Sequence, residues 1–125
     1  MRLTSVIGAG IAVAAVLSCK KDATSNNSPF PQAATVSLTA SAFVSDRNGS
    51  SPAADTIAPG GQVTWVWTTG ALDHNIVALG PLTFTGTTDH DFPFQYSPTG
   101  AFDRTGVYNY VCTNHVGMTG TIVVQ

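Results

Sequence analysis

Cys112, His115 and Met118 stand in the run Tyr110-Val111-Cys112-Thr113-Asn114-His115-Val116-Gly117-Met118, a C-x-x-H-x-x-M spacing. A thiolate and a thioether are soft donors that favour Cu(I), and an imidazole suits both Cu(I) and Cu(II). Two imidazoles and a thiolate in a trigonal set, with a long, weak axial thioether, hold both oxidation states in nearly one geometry. The chemistry on offer is therefore the binding of one copper ion that exchanges a single electron. The second imidazole must come from outside the run, from His74 or His90. His74 precedes Asn75 and the apolar Ile76-Val77-Ala78, whereas His90 sits in Thr-Thr-Asp-His-Asp-Phe, which reads as a solvated loop. Each residue also has a plainer reading. A lone Cys is most often a buried core thiol, His115 alone would be a loop imidazole, and Met118 alone would be core filler. The axial place can also go to Gln or a backbone oxygen. Asp89-His90-Asp91 offers weak ligation of a hard ion, with a polar loop as the simpler alternative.

Cysteine usage bears on the thiol. There are two cysteines, Cys19 and Cys112. The first residues have a positive start at Met1-Arg2 and an apolar run from Val6 to Leu17, followed by Ser18-Cys19-Lys20-Lys21. The run is shorter than the roughly 20 residues of a transmembrane helix and fits the apolar segment of a secretory signal. Val16-Leu17-Ser18-Cys19 resembles a bacterial lipobox, in which the Cys is lipid-modified and begins the mature chain. An ordinary signal peptide cut near Ser18, or an uncut anchor, is the competing reading. With lipid on Cys19, Cys112 is unpaired. A lone thiol in an oxidising compartment is either an inert core residue or a metal ligand.

The expected organisation is a signal peptide at 1–18, a lipid-anchored flexible linker at 19–35 and one domain at 36–125. The linker is polar and contains Pro29 and Pro31, with little to bury. The remaining stretch of about 90 residues is enough for a small core. Strands must position the donors. Val36–Ala40 alternates apolar and polar residues. Gln62–Thr68 puts Val63, Trp65 and Trp67 on one face, after the Pro59-Gly60-Gly61 turn. His74–Leu79 and Leu82–Thr85 read as strands, and Thr87–Asp103 as mostly loop. Gly106–Cys112 and Thr119–Gln125 close the chain as strands. Alternation aligns Cys112 with Tyr108 and Tyr110, so the thiol points into the core at the end of its strand, and a tight turn returns His115 over it. No helical period follows residue 18, which makes the domain all-β, a sandwich or barrel.

From Gly106 to Val124 the chain resembles the plastocyanin and amicyanin branch of the cupredoxins. The short loop is closer to amicyanin, because plastocyanin has a longer segment between His and Met. The His74-Asn75 pair also matches, and the likeness extends over residues 36–125. This resemblance implies a Greek-key β-sandwich of about eight strands with copper near one end. It implies the ligands His74, Cys112, His115 and Met118, and hydrogen bonds from Asn75 and Thr113 that tie the two ligand-bearing segments together. There are departures. Val111 stands where plastocyanin has Tyr, Asn114 stands where the amicyanin loop has Pro, and the dense acidic patches of plant plastocyanins are not evident.

Composition excludes several function classes. A net charge of −2 with 10% charged residues offers no footprint for nucleic acid. No Ser-His-Asp order, paired carboxylates or phosphate-binding Gly loop supports catalysis. Three histidines suffice for one mononuclear copper site and leave no further cluster for a multicopper enzyme. The expectation is a non-enzymatic, monomeric one-electron carrier. It would be exported and face the periplasm or cell exterior on its lipid anchor. It would meet transient redox partners through a patch at Leu72, Val116 and Gly117. The alternatives are a module for copper buffering or delivery, with the same ligands, and a metal-free interaction domain. Trp65 and Trp67 are read as core packing rather than a redox relay.

Overall fold

The computed structural model describes residues 27–125; the expected signal segment and Cys19 lie outside these residues. Nine strands form two sheets, and no helix occurs among the described residues. The strands are β1 (Ala33–Leu38), β2 (Phe43–Ser45), β3 (Ala53–Ile57), β4 (Gln62–Trp67), β5 (His74–Leu79), β6 (Thr87–His90), β7 (Phe94–Tyr96), β8 (Gly106–Val111) and β9 (Thr119–Val124). One sheet has the order β2-β1-β4-β7 and the other β3-β9-β8-β5-β6. Two pairs are parallel, β1 with β4 and β3 with β9, so the chain crosses between sheets before it returns to a neighbour. The all-β sandwich expected from turn spacing and alternation is present.

Alternation decides which side chains enter the core. On β4, Val63, Trp65 and Trp67 are buried while Gln62, Thr64 and Val66 face outward. On β8, Tyr108 and Tyr110 are buried, and Cys112 follows on the same side. Trp65 stacks on Phe84 at 5.2 Å and meets Tyr110 edge-on at 5.2 Å, and Tyr110 in turn meets Phe43 at 4.9 Å. Such aromatic pairs contribute ~0.5–1.5 kcal/mol each beyond burial of their area. The cluster spans both sheets and reaches within two residues of Cys112.

The structure corrects several local expectations. β1 begins at Ala33, upstream of Val36, because Ala33 already pairs with Gln62. Leu82–Thr85 is not a strand. Its apolar residues plug the sandwich instead, with Phe84 against Trp65 and Leu82 against Gly106. The stretch expected to be mostly loop holds β6 and β7. Both are short, and neither shows a fully buried position, so neither carries an apolar alternation. β2 and β3 escaped the sequence reading for a different reason. Two of their inward positions are Ser45 and Asp55, which meet in a buried Ser45 Oγ–Asp55 Oδ1 hydrogen bond of 2.8 Å.

The close approach of β8 and β9 requires a glycine. Tyr110 pairs with Gly120, and a Cβ at Gly120 would overlap the Tyr110 ring. Gly120→Ala is expected to destabilise the copper-free protein by about 1–3 kcal/mol through overpacking. Urea unfolding followed by tryptophan fluorescence measures it, and an unchanged midpoint would contradict this packing.

Candidate metal centre

The site forms where the start of β5 meets the end of β8. These strands are antiparallel, with Val77 opposite Val111 and Ala78 opposite Tyr110. Continuing that register sets Asn75 opposite Thr113, beyond the last paired residues. There the Asn75 side chain takes over from the backbone. Thr113 N–H donates to Asn75 Oδ1 at 2.9 Å, and Asn75 Nδ2 donates to Thr113 Oγ1 at 2.7 Å. The hydrogen bonds expected between these two residues are therefore present. A register irregularity between His74 and Ile76 breaks the alternation, so that His74, Asn75 and Ile76 are all buried in succession. A bulge of this kind re-aims side chains at a strand end. Asp73, just before it, adopts a φ of 55°, and its N–H donates to Asp91 Oδ1 at 2.7 Å. Asp tolerates the left-handed region better than most residues.

The loop after β8 closes on itself. Cys112 N–H donates to the Met118 carbonyl at 3.0 Å, and Met118 N–H donates to the His115 carbonyl at 3.1 Å. Gly117, at φ 80°, makes the turn before Met118, a conformation glycine adopts without a Cβ penalty. Cys112 and Met118 are buried, while His115 is half-buried.

His74 Nδ1 and His115 Nδ1 each lie 3.5 Å from Cys112 Sγ. The three donor atoms all lie within 4.8 Å of one another. Metal–nitrogen bonds of about 2.0 Å and a metal–sulfur bond of about 2.3 Å, set about 120° apart in a trigonal plane, separate sulfur from nitrogen by about 3.7 Å. The observed spacing fits one ion held by all three. The tautomer of His74 fits as well. Its Nε2 lies 2.7 Å from the Thr39 carbonyl, an acceptor only, so Nε2 carries the proton and Nδ1 keeps its lone pair toward Sγ. Burial pulls the His74 pKa below its ordinary value, helped by the neighbouring His115. The Thr39 carbonyl, Asp73 and Asp91 act in the opposite direction. A neutral ring is the form that binds metal.

Of the two candidate imidazoles, His74 is the one brought to the thiol. His90 stacks on Phe94 at 3.6 Å and meets Trp67 edge-on at 6.2 Å, an aromatic cover on the edge of the sandwich. Nor do Asp89, His90 and Asp91 form an ion site. Asp89 Oδ1 accepts from Asn75 Nδ2 at 2.9 Å and from Asn114 Nδ2 at 2.8 Å, while Asp91 holds the Asp73 amide. Sequence reasoning missed the Thr39 carbonyl and the role of Asp89, because neither lies near the ligands in sequence. Asn114 was visible only as a departure from the amicyanin loop. Here its Nδ2 also donates to the Asp73 carbonyl at 2.8 Å.

The profile of the copper-binding proteins of the plastocyanin/azurin family matches residues 50–125. The chain belongs to that family. This cupredoxin binds one copper ion in a single type 1 site made by His74, Cys112, His115 and Met118. Among curated proteins no sequence matches it. Among solved structures it is similar to an oxidised amicyanin variant, with 22% identity and a TM-score of 0.56 over 75% of this chain and 83% of that one. A reduced amicyanin variant gives 24% and 0.55 over 78% and 92%. Similarity to the copper-containing nitrite reductase of Thermus scotoductus SA-01 is 26% with a TM-score of 0.58, over 78% of this chain. The cupredoxin spans 23% of that reductase.

The lowered His74 pKa has a consequence for the copper-free protein. Where the folded state binds fewer protons than the unfolded chain, stability falls as pH falls. The loss attributable to His74 therefore begins as pH drops through the unfolded value near 6.5 and continues toward the lower folded value. Denaturation measured at a series of pH values should show a shallower acid loss in His74→Gln than in the parent protein. Equal slopes would remove His74 from the account.

Proposed function

We propose that this cupredoxin is an electron carrier that passes single electrons between redox partners outside the cytoplasm. The observation that carries the reading is the convergence of two imidazole nitrogens on one buried thiol, at the spacing of a trigonal site. Copper bound there supplies a one-electron Cu(II)/Cu(I) couple. The protein's part is to hold its donors still. The Thr39 carbonyl fixes the His74 ring, Asn75 fixes Thr113, and Met118 closes the loop through two backbone hydrogen bonds. Donors already in place need little rearrangement when the charge changes.

His115 is the half-exposed member of the set, and so provides the edge at which a partner can approach. Next to it in the turn Val116 is fully exposed and Gly117 exposed, and Leu72, two residues before His74, is 58% exposed. Phe92, whose amide donates to the Ala71 carbonyl at 2.8 Å, extends this apolar rim. A rim of this kind suits brief redox encounters, which bury small interfaces. The three histidines are His74, His115 and the stacked His90, which leaves no imidazole cluster for a second, catalytic copper. The carrier reading is therefore a non-enzymatic one. Its proposed setting is the periplasm or cell exterior, with the chain anchored through lipid on Cys19 and acting as a monomer.

Copper-loaded protein is expected to be intensely blue through thiolate-to-Cu(II) charge transfer. Cys112→Ser should abolish the colour, whereas a coloured Cys112→Ser protein would sink the assignment. Bound copper should raise the melting temperature by linkage, and His74→Ala or Met118→Ala should reduce that rise. Rapid electron self-exchange with copper retained in both states supports a carrier. Facile loss of Cu(I) to an acceptor would instead indicate copper delivery. For the anchor, Cys19→Ala should move the protein from the membrane to the soluble fraction of its host, and an unchanged distribution would exclude lipid at that residue.

A further inference from the structure

Asp89 lies on β6, the edge strand beside β5, and contributes no donor to the metal set. Its Oδ1 nevertheless accepts from two carboxamides that flank the ligands. One is Asn75, next to His74, at 2.9 Å. The other is Asn114, next to His115, at 2.8 Å. Each carboxamide spends its second N–H on the other side of the seam, Asn75 on Thr113 Oγ1 and Asn114 on the Asp73 carbonyl. All four amide protons are thus committed.

The chemistry of the acceptor matters. A carboxylate has no proton to give, so it draws the nitrogen end of both side chains toward itself, and such charge-assisted bonds are stronger than neutral ones. With Asn75 Nδ2 held toward Asp89, its Oδ1 is left to face the Thr113 N–H, the bond that holds the residue after Cys112. With Asn114 Nδ2 held toward Asp89, the residue before His115 is tied to the turn that precedes His74. We propose that Asp89 is a positioning residue for the copper site. Its acceptor oxygen sets the orientation of Asn75 and Asn114 and thereby holds Cys112, His115 and His74 in register before metal arrives. The loop has Asn114 where a ring-constrained proline would restrict the backbone directly, and the Asp89–Asn114 bond restrains that position from outside the loop. This inference rests on the copper site and not on electron carriage.

The test compares Asp89→Ala, Asp89→Asn and Asn114→Ala with the parent protein in the copper-free state, by amide hydrogen exchange. Asp89→Ala should speed exchange at Thr113 by about tenfold, the effect expected from losing a hydrogen bond of this strength. Tyr110 and Ile122, in the strands, should keep their parent rates. Asp89→Asn retains an acceptor oxygen but loses the charge, and should speed Thr113 exchange by clearly less than Asp89→Ala does. Asn114→Ala, which leaves the Asn75 arm in place, should have a smaller effect than Asp89→Ala. Copper affinity should fall about tenfold in Asp89→Ala, the scale seen when outer contacts of a metal site are lost, and should fall less in Asp89→Asn. Unchanged exchange at Thr113 in Asp89→Ala would overturn the proposal. So would equal acceleration at Thr113, Tyr110 and Ile122, which marks general destabilisation. An Asp89→Asn protein that behaves like Asp89→Ala would overturn the role of the acceptor oxygen.

Discussion

The metal centre depends on the seam between β5 and β8. The two segments that carry the ligands are far apart in the chain, and antiparallel pairing of these strands brings them together. The backbone ladder stops at Val77 and Val111, and the next stretch of the seam is held by the Asn75 carboxamide. That exchange of a backbone ladder for a side chain frees the end of β8 to turn. Cys112 can then face the core while Thr113 and Asn114 run back across β5. On the other side the register of β5 against β6 is irregular between His74 and Ile76, and His74, Asn75 and Ile76 are buried in succession. A metal donor and its stabilising neighbour are thus buried side by side, His74 on the Thr39 carbonyl and Asn75 on Thr113 and Asp89.

Stability and site geometry draw on different interactions. The aromatic cluster of Trp65, Phe84, Tyr110 and Phe43 locks the two sheets together, and loss of one such ring costs about 3–5 kcal/mol. The hydrogen bonds at the seam contribute ~0.5–1.5 kcal/mol each. They are too weak to hold the domain together, but they are directional, and the ligands need direction. Tyr110 links the two systems. It sits at the centre of the cluster, two residues before Cys112 on the same face, and Gly120 leaves room for its ring. The core thus sets the depth of the thiol, and the polar seam sets what faces it.

The exposed end of the site follows from the same division. His74 is buried because its Nε2 must reach the Thr39 carbonyl inside the sandwich. His115 lies on the turn and stays half-exposed beside the fully exposed Val116. One imidazole anchors the metal to the core, and the other offers it to the outside. Asp73, Asp89 and Asp91 ring the seam from the β6 side, and each joins it through a hydrogen bond made by its own carboxylate or carbonyl. Much of the polar surface there is structural.

Most of this was legible in the sequence. Val63, Trp65 and Trp67, like Tyr108 and Tyr110, alternate with polar neighbours, and a strand with one buried face leaves that period whatever its partners are. Cys112, His115 and Met118 were legible because a single tight turn carries all three. Donor type alone restricts what such a turn can bind. The β-strands at Phe43–Ser45 and Ala53–Ile57 were not legible, because Ser45 and Asp55 fill inward positions through a bond that only the folded chain supplies. Leu82 and Phe84 misled for the opposite reason, since apolar residues can plug a core from a loop. His74 was already favoured over His90 by the Asn75 that follows it, but the Thr39 carbonyl that sets its tautomer and the two carboxamides meeting on Asp89 were decided by tertiary structure alone. Each is a contact between segments distant in sequence, and pairing of strands across the sandwich, not any local preference, determines which of them meet.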